Sequence, residues 1–201
     1  MTTVSRRILL AAGASLGAAG TLAHAAAPAS TERPVRRKDL ELTRDEALYV
    51  IEHTNHAVLA TSDDSGTPYA VPVTPVLFQG KIYVHGTNAP ESRKRLNLRQ
   101  NPRVSLAWIG TAPMKEDEFT TKYVSAIVAG RAREVTDKDE RWKIMTGYTN
   151  RFAPSQSAEA ARKTIAESLP DVVIWEIEIE KVTGKAKTRV PFFGPQHKDA
   201  K

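Results

Sequence analysis

Val173, Trp175, Ile177 and Ile179 alternate with Glu176, Glu178 and Glu180 along residues 172–182. That strict period of two predicts a strand with one face buried and the other wet. Such a strand needs neighbours, and the chain supplies them. Residues 56–61 form an extended run, Asp63-Asp64-Ser65-Gly66 a turn, and residues 68–78 a second extended run, which predicts a hairpin. Gln79-Gly80 then turns the chain into residues 81–86, so three strands are expected to follow one another as a meander. Residues 104–108 and 123–135 add two more strands rich in β-branched side chains.

Helical signals are interleaved. Thr43 followed by Glu46 is a capping-box pattern, and Ala47, Leu48, Val50 and Ile51 give a helical face ending near Thr54-Asn55. Residues 88–101 are basic and helix-compatible, and Asn101-Pro102 stops them. Residues 137–169 are helical in character, with Pro154 as a break and Trp142, Ile144 and Met145 as expected buried contacts. The order of elements predicts a mainly β domain with added helices (α+β), built as an antiparallel barrel.

The first residues do not belong to that domain. Arg6 and Arg7 precede an apolar, Ala/Gly-rich run to Leu22, and Ala23-His24-Ala25 offers small residues where a signal peptidase reads them. The run is short and weakly apolar against the roughly 20 residues of a membrane span. Residues 1–25 are therefore expected to be a cleaved twin-arginine-type signal peptide, with Sec as the other route, and the chain to be exported, periplasmic or secreted, without a stable membrane anchor. Residues 26–39 read as a flexible tether, 40–190 as the domain and 191–201 as a C-terminal tail.

Cysteine is absent, which removes disulfides, thiolate metal sites and a cysteine nucleophile. The net charge of +6 includes Arg6 and Arg7, so the remainder is only weakly basic and no nucleic-acid partner is implied. His53 and His56 stand three apart at a helix end with no third ligand at metal spacing, and no metal site is expected. A nucleophile elbow, a Gly-rich phosphate loop and a dinucleotide fingerprint are all missing. The informative segment is His85-Gly86-Thr87-Asn88-Ala89-Pro90-Glu91-Ser92-Arg93-Lys94-Arg95. A strand end, a polar turn and a hydroxyl beside three cations at a helix start suit a phosphate, which the backbone N–H groups and the helix dipole also attract. A solvated basic helix face is the other reading.

The series Ile82-Tyr83-Val84-His85, Ser92-Arg93-Lys94 and Asn101-Pro102-Arg103-Val104 resembles the pyridoxamine 5'-phosphate oxidase-like flavoproteins. The segments Ala57-Val58-Leu59-Ala60, Gly66-Thr67-Pro68-Tyr69 and Gly130-Arg131-Ala132 are similar to their nitroimidazole-reductase (Nim-like) branch. The resemblance implies an antiparallel FMN-binding split β-barrel whose two FMN sites lie at the interface of a homodimer. It implies that Ser92, Arg93 and Lys94 hold the FMN phosphate, that Val71, Pro72, Val73 and Thr74 border the isoalloxazine ring, and that His85 faces the site as its candidate catalytic residue. Plain barrel core is the other reading of Val71 to Thr74, and a histidine satisfied by barrel backbone that of His85. Two departures, the lack of cations at residues 71–74 and of the oxidases' Arg/His motif after Thr183, argue against pyridoxamine phosphate oxidation. The expected activity is an FMN-dependent oxidoreductase acting on a small, electron-poor acceptor. Haem ligated by His85 or His56, or a non-catalytic flavin module, are the alternatives.

Overall fold

The computed structural model describes residues 33–197, so the expected signal and the first part of the tether lie outside the described residues. Seven strands form one antiparallel sheet: β1 (Ala57–Ser62), β2 (Pro68–Val73), β3 (Val76–Phe78), β4 (Lys81–Thr87), β5 (Arg103–Thr111), β8 (Val124–Glu134) and β9 (Val172–Ala186). Two short strands, β6 (Met114–Lys115) and β7 (Thr120–Thr121), make a separate hairpin. The sheet order is β2-β1-β5-β8-β9-β4-β3. Its two edge strands, β2 and β3, are consecutive in sequence and joined only by Thr74 and Pro75. The sheet therefore curls into a half-barrel, the split-barrel architecture expected from the sequence.

Two expectations change here. Residues 68–78 are two strands, because the chain leaves its partner β1 at Val73 and re-pairs with β4 from Val76. Nor do three strands form a meander, since the β1–β2 and β3–β4 hairpins occupy opposite edges of the sheet. The β3–β4 turn is made by Gln79 and Gly80, both with positive φ (52° and 76°), the geometry that matches strand twist in a two-residue loop.

The barrel interior is filled by Leu59, Leu106, Trp108, Val84, Trp175 and Ile177. Each such side chain stabilises the fold by about 1.5–3 kcal/mol. Helix α1 (Arg44–His53) packs on β5, β8 and β9 through Ala47, Val50 and Ile51. Its capping box is complete: the Glu46 N–H donates to the Thr43 hydroxyl at 3.2 Å, and the Thr43 N–H to the Glu46 carboxylate at 2.8 Å.

Helices α3 (Lys138–Phe152) and α4 (Ala158–Ser168) build a second cluster on the outer side of β3, β4 and β9, where Ile144, Tyr148 and Ile165 meet Tyr83 and Ile174. Ile144 and Met145 are buried there as expected, whereas Trp142 is only half-buried. This layer corrects the reading of β9 as half wet: Glu176, on the predicted solvent face, is 7% exposed. Burial pushes its carboxyl up, but bonds from Lys81 (3.0 Å) and Arg133 (2.7 Å) outweigh that and hold it below its usual value. A buried carboxylate so paired is satisfied rather than stranded. The one-turn helix α5 (Val190–Phe193) buries Phe193 in the barrel core, so packing runs past residue 190 into the segment read as a tail. Among the described residues no helix is long and apolar enough to cross a membrane.

Candidate functional site

Helix α2 (Arg93–Gln100) is set against the barrel by polar bonds. The buried Asn97 amide donates to the Thr61 hydroxyl at 3.0 Å, and the Asn101 amide to the Ser62 hydroxyl at 2.9 Å. The Asn101 carbonyl oxygen accepts the Arg103 N–H at 3.1 Å, fixing the start of β5. These contacts aim the N-terminus of α2 at the gap between β2 and the end of β4.

That N-terminus breaks a local rule. Helix starts favour acidic residues, yet the first turn of α2 holds Arg93, Lys94 and Arg95 and no acid. Each cation opposes the dipole by a few tenths of a kcal/mol. Among the described residues no carboxylate forms an ion pair with any of the three. Ser92 occupies the cap position without using its hydroxyl for capping.

The three cations reach three different partners. The Arg93 guanidinium lies over the Tyr69 ring of β2, 4.7 Å from its centroid. The Lys94 ammonium turns the other way and donates to the His85 carbonyl of β4 at 3.1 Å. Gly86 makes room for it, because a Cβ there would stand 2.6 Å from Nζ. Arg95 donates to the Asn88 carbonyl and braces the loop. Lys94 is half-buried with a single backbone partner, and burial lowers its pKa. A half-buried ammonium, an unused hydroxyl and the N–H groups of a helix start are donors that could hold an anion.

His85 sits otherwise than the resemblance implies. Ile82 and Val84 of β4 point into the barrel, so His85 and Tyr83 point outward to α3, where the imidazole meets Tyr148 edge-on at 4.6 Å. Its carbonyl, not its ring, touches the cradle. The ring Nδ1 is buried without a partner. Burial and the nearby Lys94 charge hold the imidazole below its ordinary pKa of 6.5, so it is neutral at pH 7. The unfolded chain then takes up this proton before the folded one does. Stability is expected to be insensitive to His85 above about pH 6.5 and to fall as pH drops below it. Denaturant midpoints from pH 7.5 to 5 should decline less in His85→Phe than in the parent; parallel declines would remove the assignment.

Val71 and Val73 point into the barrel core, Val73 with 9% exposure, while Pro72 points outward. Thr74 lies on the link between the sheet edges, its hydroxyl 3.2 Å from His56 Nδ1. Pro72 lines a cleft of about 440 Å³ with His53, His56, Val58, Ala107 and Ile109. Along β2, Pro72 and Tyr69 stand three residues apart and on opposite faces of the strand, Tyr69 sharing the face of Val71 and Val73. On the outer face Ala70 stands beside Ala60. Another hollow, of about 470 Å³, lies between α3 and α4 against Trp142, Leu169 and Pro170. Among the described residues no three His, Asp or Glu side chains come together as metal ligands. The sequence reading missed Tyr69 as the rest for Arg93, Gly86 as the space for Lys94, and the Asn97–Thr61 bond that aims α2. The one sequence signal for them was the basic helix start itself.

A family model for pyridoxamine 5'-phosphate oxidase matches residues 43–186. The chain belongs to the pyridoxamine 5'-phosphate oxidase family. The matched span runs from the cap of α1 to the end of β9 and contains both cradle and cleft. A comparison with curated proteins returns no match. Solved structures share the fold at low identity. A Bacteroides thetaiotaomicron protein assigned to 5-nitroimidazole antibiotic resistance is 19% identical, with a TM-score of 0.59 over 73% of this chain and 86% of its own. A FAD-binding protein from Mesorhizobium loti is 23% identical, TM-score 0.50, over 74% and 97%. The FAD and heme binding protein of Mycobacterium smegmatis is 16% identical, TM-score 0.56, over 72% and 71%.

Proposed function

We propose that this family member binds FMN, holding the phosphate on Ser92, Arg93 and Lys94 and the ring system in the cleft beside Pro72, and that it reduces small, electron-poor acceptors as a homodimer. The observation that carries the reading is Lys94: a half-buried ammonium given only the His85 carbonyl, at a helix start that already repels cations. The names of the Mesorhizobium and Mycobacterium neighbours support a flavin, and the Bacteroides protein supports a nitro-type acceptor.

A bound flavin would supply the redox chemistry, the transfer of a hydride (two electrons and a proton) from a reduced donor to the acceptor. The chain's own residues bind, orient and exclude water. Arg93 and Lys94 fix the anionic end, Gly86 keeps the ammonium close, and Val58, Pro72, Ala107 and Ile109 give the ring an apolar wall. His56, which lines the cleft beside Thr74, is better placed than His85, whose ring packs on Tyr148, to donate a hydrogen bond to an acceptor.

The outer face of β2, β1, β5 and β8 supports the homodimer. Pro72, Val58, Ala107 and Ile127 form one row across it, and Ala70, Ala60, Ser105 and Ala129 the next, all without charge. Val58 and Ile127 are 41% and 46% exposed, the composition of a surface meant to be covered. Anaerobic reduction of the FMN-loaded protein followed by a nitroimidazole tests the activity. The oxidised flavin band should return many times faster than with free reduced FMN; an equal rate would leave a flavin carrier and remove the reductase.

A further inference from the structure

The hollow between α3 and α4, about 470 Å³, is lined by residues that the flavin reading does not use. It has the size of a small-molecule site. Trp142, Ala166, Leu169 and Pro170 give it an apolar wall, and Lys138, Asp139 and Arg141 a charged edge. Of the three tryptophans only Trp142 is left half-exposed, Trp108 and Trp175 being 1% and 2% exposed.

The edge is built as well as charged. Arg141 donates from Nη2 to the Leu169 carbonyl at 2.7 Å and to the Val172 carbonyl at 2.8 Å, which fixes its guanidinium. Its Nε–H is buried without an acceptor. Among the described residues no carboxylate forms an ion pair with Arg141 or Lys138. Arg162 stands one turn ahead of Ala166 on α4, so cations outnumber the single carboxylate of Asp139. A guanidinium held still beside an indole suits a planar ring that bears one carboxylate, with the ring on Trp142 and Leu169. Asp139 disfavours a doubly charged phosphate ester in the same place.

The floor of the hollow continues into the frame of the flavin site. Leu169–Asp171 form a 3₁₀ turn that leads directly into β9, whose Val172 and Val173 pair with Thr87 and Gly86 of β4. Gly86 is the residue that makes room for Lys94. The Asp171 carbonyl accepts the Asn88 N–H at 2.9 Å, and the Asn88 carbonyl accepts a bond from Arg95 of α2.

We infer that this hollow is a second binding site, for a small aromatic carboxylate, and that its occupant tightens FMN binding by holding the Leu169–Val172 junction against Asn88 and the end of β4. The coupling rests on the proposed flavin site; the binding does not.

Calorimetric titration of the purified protein with 2-naphthoate, in the absence of FMN, tests the binding. One site per chain is expected, with the uncharged 2-naphthamide about tenfold weaker, because a charge-assisted contact is lost. Ala166→Phe, at an exposed helix position, fills the hollow and should abolish binding while circular dichroism shows the fold intact. FMN titration with and without saturating 2-naphthoate then tests the coupling, and FMN affinity should rise about fivefold or more. Absence of 2-naphthoate binding would overturn the site, and equal binding of acid and amide would overturn the carboxylate. Undiminished binding to Ala166→Phe, or 2-naphthoate that competes with FMN, would place the ligand elsewhere and overturn the hollow. An FMN affinity unmoved by bound 2-naphthoate would overturn the coupling and leave both sites standing. If FMN does not bind at all, the flavin reading and the coupling fall together, while the calorimetry still decides the hollow.

Discussion

Replacing Arg93 and Lys94 together by Ala is expected to weaken FMN binding about 100- to 10,000-fold while leaving riboflavin binding almost unchanged. The magnitude follows from two charge-assisted contacts of about 1.5–3 kcal/mol each. Lys94 should carry the larger share, because it is half-buried and poorly hydrated, whereas Arg93 is exposed above Tyr69. The fold should persist, since neither side chain belongs to the core. Relief of cation–dipole repulsion at the start of α2 offsets part of what is lost with the Lys94–His85 bond. Lys94→Met, which keeps the stem and removes the charge, separates packing from electrostatics. Titration of FMN and riboflavin into parent and variants reads the outcome. An unchanged FMN affinity would reduce the cations to a solvated face, and an equal loss for riboflavin would point to damage elsewhere.

The second large effect is on stability. Trp108, 1% exposed, stands among the largest side chains of the barrel interior, on the central strand β5 opposite Ala57 and Ala126. Its neighbours across the sheet are small and cannot refill the space. Trp108→Ala should therefore cost about 3–5 kcal/mol and lower Tm by roughly 10 °C or more. The indole N–H is buried without a partner, a feature that already costs the native state. Trp108→Phe removes that donor along with part of the volume, so its cost should stay near 1.5 kcal/mol or below. Thermal melts of both variants check this, and a Trp108→Ala loss under about 1 kcal/mol would contradict the packing.

How much of this was legible depended on whether a residue's role was local. The α1 cap, the β1–β2 hairpin, β5 and β8 follow from short-range chemistry, and they stand where periodicity and turn residues put them. The cations at the start of α2 were legible as a cluster but their role was not, because the same run reads as a phosphate cradle or as a solvated basic face. What stayed hidden was set by distant neighbours. Nothing near Glu176 reveals that α3 covers it, and Thr74-Pro75 reads as extended whether or not the strand changes partner there. The direction of His85 turns on strand parity, which one residue of register reverses. The β6–β7 hairpin escaped because strands of two residues carry no period.

The absorbance of the purified, full-length-expressed protein, before and after incubation with FMN, tests the flavin site most directly. The account predicts paired bands in the blue and near ultraviolet that survive gel filtration, at one FMN per protomer, with FMN retained far better than riboflavin. A spectrum that stays featureless after FMN is offered, or a single intense Soret band in place of the flavin pair, would contradict it.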